Sequence, residues 1–209
     1  MPTLFLRADR GLLHDGRRLF DPRSLAWRTP DGTLPDGEPV TPAAAVRWLY
    51  TESGGPRVPV GVIGPREATA RQVEVAERLG RRLGELRVLV LNGGKTGVME
   101  AVSRGCVQAG GQVLGFVPDP DWRDANDFVT IPLATGIGPA RNVLIARASL
   151  ALVAIGGEYG TLTEMAFGLH FDKPVFALEG APRVDGVRVM EDVDQVVEAL
   201  VAVILGLDA

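Results

Sequence analysis

The sequence predicts an α/β protein: a doubly wound, Rossmann-like parallel sheet with helices on both faces, preceded by a small N-terminal appendage. Three observations carry this. From about Arg57 onward, short β-rich apolar runs alternate with helical periods, as βαβ units do. The runs are apolar on both faces, as expected of strands buried between helix layers. Two of them end in glycine loops that lead into helices, Asn92-Gly93-Gly94-Lys95-Thr96-Gly97 and Gly156-Gly157-Glu158-Tyr159-Gly160-Thr161.

The appendage, residues 1–56, reads differently. Asp15-Gly16 between Leu12-Leu13 and Leu19-Phe20 signals a hairpin, and Pro30-Asp31-Gly32 a further turn. Thr41-Pro42 caps a helix running through Val46, Trp48 and Leu49. The main domain, 57–209, opens with the strand Val58-Pro59-Val60-Gly61-Val62-Ile63, broken by Gly64-Pro65-Arg66-Glu67. Val73, Ala76, Leu79 and Leu83 then recur at helical spacing. Val88-Leu89-Val90-Leu91 is the next strand, followed by the first glycine loop and a helix through Met99, Val102 and Val107 that ends at Gly110-Gly111. Val113-Leu114-Gly115-Phe116-Val117 is a strand stopped by Pro118, residues 119–127 a polar loop, and 128–133 a shorter strand. Thr135-Gly136-Ile137-Gly138-Pro139 introduces a helix near Ala140. Residues 150–155 form a strand, the second glycine loop leads into a helix through Met165 and Leu169, and 173–178 is the last core strand. The closing helix, 193–205, is apolar on nearly every face and needs cover on more than one side, from the appendage or a second copy of the chain.

Composition narrows the function. A chain of 209 residues, 46% hydrophobic and 23% charged, supports one well-buried core. A net charge of −4 gives no whole-chain attraction to nucleic acid or an anionic membrane, so neither is an expected partner. One cysteine, Cys106, and two distant histidines, His14 and His170, support neither a disulfide nor a metal site, and no cofactor is expected. Residues 1–7 lack a secretory pattern, and residues 200–205 are too short an apolar run to span a bilayer; the cytoplasm is the expected compartment.

The chemistry lies in the glycine loops. A strand, a glycine turn and a helix N-terminus together free backbone N–H groups and place the positive dipole end at the turn, which favours phosphate. Gly93, Gly94, Gly156, Gly157, Gly160 and Thr161 are the candidate phosphate cradle, with Asn92, Lys95, Met99 and Asn142 as candidate ligand contacts. The loops are not a P-loop, because Leu89 stands where its first glycine belongs. Nor is Gly136-Ile137-Gly138-Pro139-Ala140-Arg141 a dinucleotide fingerprint, since Arg141 replaces the third glycine. Arg141 either pairs a carboxylate or clamps an anion. Glu164 closes a capping box with Thr161, stands as a carboxylate at the mouth of the crevice, or does both at once.

These segments, Asn92 to Glu100, Gly138-Pro139-Ala140-Arg141-Asn142 and Gly156 to Glu164, resemble the LOG-like family, once misnamed lysine decarboxylases, and especially its branch of molybdenum-cofactor carrier proteins. The resemblance spans about Val58 to Leu205. It implies hydrolysis of the N-glycosidic bond of a nucleoside 5′-monophosphate to base and ribose 5-phosphate, with Gly157, Gly160 and Thr161 on the phosphate and Arg141 and Glu164 as catalytic residues. It also implies a homodimer or higher homo-oligomer. Gly156, Glu158 and Asn142 depart from the hydrolase pattern toward the carrier branch, whose reading is a non-catalytic protein binding molybdenum cofactor or another phosphate-bearing pterin or nucleotide.

Overall fold

The computed structural model describes residues 3–207. By internal packing the chain divides into two compact units, Val58–Val197 and the N-terminal segment through Arg57 together with the chain from Glu198 onward.

In the N-terminal unit, β1 (Leu4–Arg7), β2 (Leu12–His14), β3 (Leu19–Asp21), β4 (Ala26–Arg28) and β5 (Glu38–Val40) form an antiparallel sheet in the order β4-β3-β2-β1-β5. The Asp15-Gly16 turn joins β2 to β3, with Asp15 Oδ1 accepting the amides of Arg17 and Arg18. Helix α1 (Pro42–Thr51) starts where expected: Thr41 Oγ1 accepts Ala44 N–H at 3.2 Å, and Pro42 fills the first turn. The hairpin and α1 were legible. The pairing of β1 with β5, Leu4 opposite Val40, was not, because strands of three or four residues carry too little alternation to register.

The second unit holds β6 (Val60–Ile63), α2 (Ala70–Glu85), β7 (Val90–Asn92), α3 (Val98–Gln108), β8 (Val113–Val117), β9 (Ile131–Ala134), α4 (Asn142–Ala148), β10 (Leu152–Ile155), α5 (Tyr159–His170), β11 (Val175–Leu178) and β12 (Arg188–Val189), and α6 (Val193–Ile204) begins in it. All seven strands are parallel, in the order β12-β11-β10-β6-β7-β8-β9. The chain therefore starts at the centre with β6, winds outward to β9, and returns to β10 on the other side of β6. Right-handed crossovers in the two directions put their helices on opposite faces. β6 and β10 are buried throughout, which accounts for their uninterrupted apolar sequence. Most strands begin two or three residues later than the sequence reading has them, β9 at Ile131 rather than 128 for example, and two features were not read at all. A 3₁₀ turn, Gly138–Arg141, precedes α4, and β12 adds a two-residue strand that no pattern could announce.

Helices α2 and α3 meet backbone to backbone. A Cβ on Gly80 would lie 2.1 Å from the Val102 carbonyl oxygen, and one on Gly105 would lie 2.1 Å from that of Glu77. The apolar closing helix α6 finds cover within the chain: Leu200, Val201, Ile204 and Leu205 are buried in the N-terminal unit, where Trp27 Nε1 donates to the Leu205 carbonyl at 2.6 Å. Its all-round apolarity thus has an intramolecular explanation. No helix among the described residues is long and apolar enough to cross a membrane.

The glycine contact gives a sharp test. Gly80→Ala raises helix propensity by ~1 kcal/mol, yet the added methyl must displace backbone, and overpacking of this kind typically costs ~1–3 kcal/mol. Urea unfolding is expected to show a net loss of stability; a gain would mean the two helices separate freely.

Candidate functional site

The carboxyl ends of the strands surround a cavity of about 450 Å³, at the point where the strand order reverses between β6 and β10. It is lined from β6 by Ile63 to Glu67, from the first glycine loop and α3 by Gly93 and Met99, by Pro118 and Pro139, by Arg141 and Asn142, and from the second loop and α5 by Glu158, Gly160, Thr161 and Glu164.

The first glycine loop is architectural in most of its length. Asn92, wholly buried, accepts Gly94 N–H at 2.8 Å through Oδ1 and donates through Nδ2 to the Met99 carbonyl (3.3 Å) and Ser103 Oγ (3.0 Å). It binds the loop to α3. Lys95 Nζ pairs with Asp119 Oδ2 at 2.8 Å and reaches the Asp124 carbonyl at 3.0 Å. Asn92, Gly94 and Lys95 do not line the cavity. Gly93 does, and its lack of a side chain is required: a Cβ there would lie 2.1 Å from Arg141 Nη2 and 2.5 Å from its Cζ. The glycine is the floor on which the Arg141 guanidinium lies.

The second loop faces the cavity more directly. Gly156, at φ +58°, stands outside the lining, and the space over it is filled by the Gln72 amide. Gly157, at φ +119°, turns the chain so that the Thr161 side chain packs over it. Over Gly160 nothing lies within 4 Å of a Cβ position, so the backbone there is open to the cavity. Helix α5 begins at Tyr159 with Glu158 at its N-cap and no side-chain cap. The capping box expected for Thr161 and Glu164 therefore does not form, because the helix starts three residues earlier and Thr161 lies inside its first turn. The chain places its capping box on α2 instead, between Thr69 and Gln72. The first-turn amides of an α-helix lack intrahelical acceptors, and in α5 those of Gly160 and Thr161 belong to cavity-lining residues.

Freed from capping, Glu164 turns to Arg141. Its Oε1 accepts from Arg141 Nη1 at 2.8 Å, with both residues under a tenth exposed. Burial pushes the Glu164 carboxyl up to about 7, against the pull of the Arg141 charge. Burial likewise lowers the Arg141 guanidinium from its ordinary value, with Glu164 opposing and the nearby Arg66 adding to the fall. Arg141 Nε is buried without a hydrogen-bond partner among the described residues. Asn142 Nδ2 donates to the Gly160 carbonyl (3.3 Å) and Thr163 Oγ1 (3.0 Å), tying α4 to the start of α5. Arg141, Glu164, Gly93, Gly160, Thr161, Met99 and Asn142 thus meet at one cavity. The Gly64–Glu67 loop, read from sequence only as a strand breaker, joins them; its signal is position, since the first strand of a doubly wound sheet lies at the reversal point.

The chain belongs to the SLOG cluster4 family, whose model matches residues 57–202. Its fold is similar to that of the molybdenum cofactor binding protein from Rippkaea orientalis (TM-score 0.67, 30% identity, covering 71% of this chain and 98% of that one). The molybdenum cofactor carrier protein from Chlamydomonas reinhardtii is comparable (TM-score 0.65, 32% identity, covering 71% and 98%). The cytokinin riboside 5′-monophosphate phosphoribohydrolase LOG5 of Arabidopsis thaliana is 35% identical over 119 residues, 53% of this chain and 48% of that enzyme. The matched region spans about half the length of that relative.

The buried carboxyl sets a pH signature. Its folded value lies above that of an exposed glutamate, so ionising it costs the fold: its contribution to stability is complete below about pH 4.5 and is lost as pH rises through about 7. Comparing urea unfolding at about pH 5 and about pH 8, the wild-type protein is expected to lose more stability on going to high pH than Glu164→Gln does. Parallel profiles would put the Glu164 carboxyl at an ordinary value.

Proposed function

We propose that the cavity binds a nucleoside 5′-monophosphate and hydrolyses its N-glycosidic bond to free base and ribose 5-phosphate. The buried Arg141–Glu164 pair, set beside the open N-terminus of α5, is the observation that supports this most. The α5 amides receive the phosphate, which places the ribose toward Glu164. As the C1′–N bond lengthens, its electron pair leaves with the base nitrogen and positive charge grows on the ribose ring. Ionised Glu164 faces that charge and takes a proton from the attacking water, whose oxygen bonds to C1′. The departing base takes up a proton from solvent, Glu164 returns its proton to solvent, and Arg141 keeps the Glu164 carboxylate oriented.

A second reading has a specific observation behind it. Glu158, exposed at the N-cap of α5, lines the cavity and adds negative charge where the phosphate would sit. Several structural relatives matched over almost their full length are named as binding or carrying molybdenum cofactor. On this reading the chain holds a phosphate-bearing pterin and performs no chemistry.

Self-association belongs to the proposal as well. Leu133, Ile137, Leu144, Tyr159 and Phe167 are large apolar side chains left exposed on β9, α4, α5 and the intervening turn. Light scattering at micromolar concentration is expected to give two or more times 22.2 kDa; a monomer mass would remove the oligomer.

The two readings separate in one assay. Incubation with a panel of nucleoside monophosphates is expected to release free base and ribose 5-phosphate, and Arg141→Ala or Glu164→Gln, each assayed well below its own melting temperature, to cut turnover by ~10²–10³-fold. Full activity in both variants would sink the mechanism. Stabilisation by monophosphates without any base release would favour the carrier.

A further inference from the structure

Two guanidinium groups reach the cavity, and they are not equivalent. Arg141 is committed to Glu164 at 2.8 Å, and both side chains are buried, so its guanidinium is already engaged within the protein. Arg66 is exposed and forms no ion pair among the described residues. Asp119, the carboxylate that senses it, already accepts from Lys95.

The backbone fixes Arg66 at this place. β6 and β10 are neighbours, with Ala154 opposite Ile63, so the loops that follow them leave the sheet side by side. A Cβ on Gly64 would lie 2.7 Å from the Ile155 carbonyl oxygen, which shows how closely the two chains run. Arg66 lies three residues beyond Ile63, and Gly157 two beyond Ile155. The Arg66 loop is also clamped onto α3: Val98 N–H donates to the Pro65 carbonyl at 3.1 Å and Thr96 Oγ1 to that of Arg66 at 3.4 Å. Gly97 permits the clamp, since a Cβ there would lie 2.4 Å from both carbonyl oxygens. The Val98 amide is thereby used inside the protein. The anion-binding capacity of the α3 N-terminus is partly spent on holding the loop, which leaves α5 and the Arg66 side chain to face the ligand. Arg66 is near enough to Arg141 that its charge disfavours the buried Arg141 cation, an effect that a dianion between the two relieves.

We propose that Arg66 is the anion-binding side chain of this cavity, gripping the ligand phosphate from the β6 side while the α5 amides hold it from the β10 side. This rests on reading the cavity as a phosphorylated-ligand site. It makes Arg66 the determinant of preference for nucleotide over nucleoside, with no part in bond cleavage.

The test is calorimetric titration of the full chain with AMP and with adenosine. In the wild type AMP is expected to bind at least about tenfold tighter, and Arg66→Ala to lose about tenfold or more in AMP affinity while adenosine binding stays put. Arg66→Lys, a point charge without the bidentate fork, falls between them. Because Arg66 is exposed and forms no ion pair among the described residues, the unliganded melting temperature of the variants is expected to match the wild type. If Arg66→Ala keeps the wild-type ratio of AMP to adenosine affinity, the role of Arg66 is overturned while the ligand reading stands. If the wild type itself does not distinguish AMP from adenosine, or binds neither, the ligand reading and Arg66 fall together.

Discussion

The buried pair of Arg141 and Glu164 is the constraint around which the site is arranged. Removing two charged groups from water costs several kcal/mol each, and a lone survivor of such a pair is strongly destabilising. The fold meets this cost with specific local devices. Gly93 leaves room for the guanidinium, the 3₁₀ turn ends at Arg141, and the early start of α5 releases Glu164 from its own helix terminus. Asn142 then ties the two helices that carry the pair. Stability alone gives no reason to keep such a pair, because apolar replacements of similar volume are often at least as stable. A carboxyl held near neutrality beside a cavity is more economically explained by chemistry or ligand recognition.

The topology decides where that pair is placed. In a doubly wound sheet the loops on either side of the reversal point diverge and leave a crevice. Here the loop after β6 and the loop after β10 form its walls, and the first glycine loop lies next to them. The two glycine loops look alike in sequence but divide the work. The first is pinned by Asn92 and makes space for an arginine, while the second opens the start of α5.

Much of this was legible before any coordinates. The seven-tenths of the chain with βα alternation showed its strands because parallel strands are apolar on both faces, and Arg141 and Glu164 stood out by chemistry. The losses have physical causes. The strands of the N-terminal sheet are too short to alternate visibly, and β12 has two residues. Thr161 and Glu164 have capping-box spacing, but tertiary pairing with Arg141 won over the local bond, and a single sequence cannot weigh those two. Gly156 and Gly94 carry turns outside the cavity, since glycine marks backbone freedom without saying what approaches it. Arg66 reads in the sequence only as part of a strand break, because a surface arginine acquires meaning only when strand order places it at the reversal point.

The relatives frame the chemistry without settling the reaction: one is named for hydrolysing a riboside monophosphate, others for binding or carrying a cofactor. The most direct measurement is therefore an NMR titration of side-chain carboxyl carbons in isotopically labelled protein, with Glu164→Gln to assign the signal. The account predicts one glutamate titrating at about 7, and rising further in Arg141→Ala as the opposing guanidinium is removed. A Glu164 carboxyl titrating with the exposed glutamates, near the ordinary ~4.3, would contradict it.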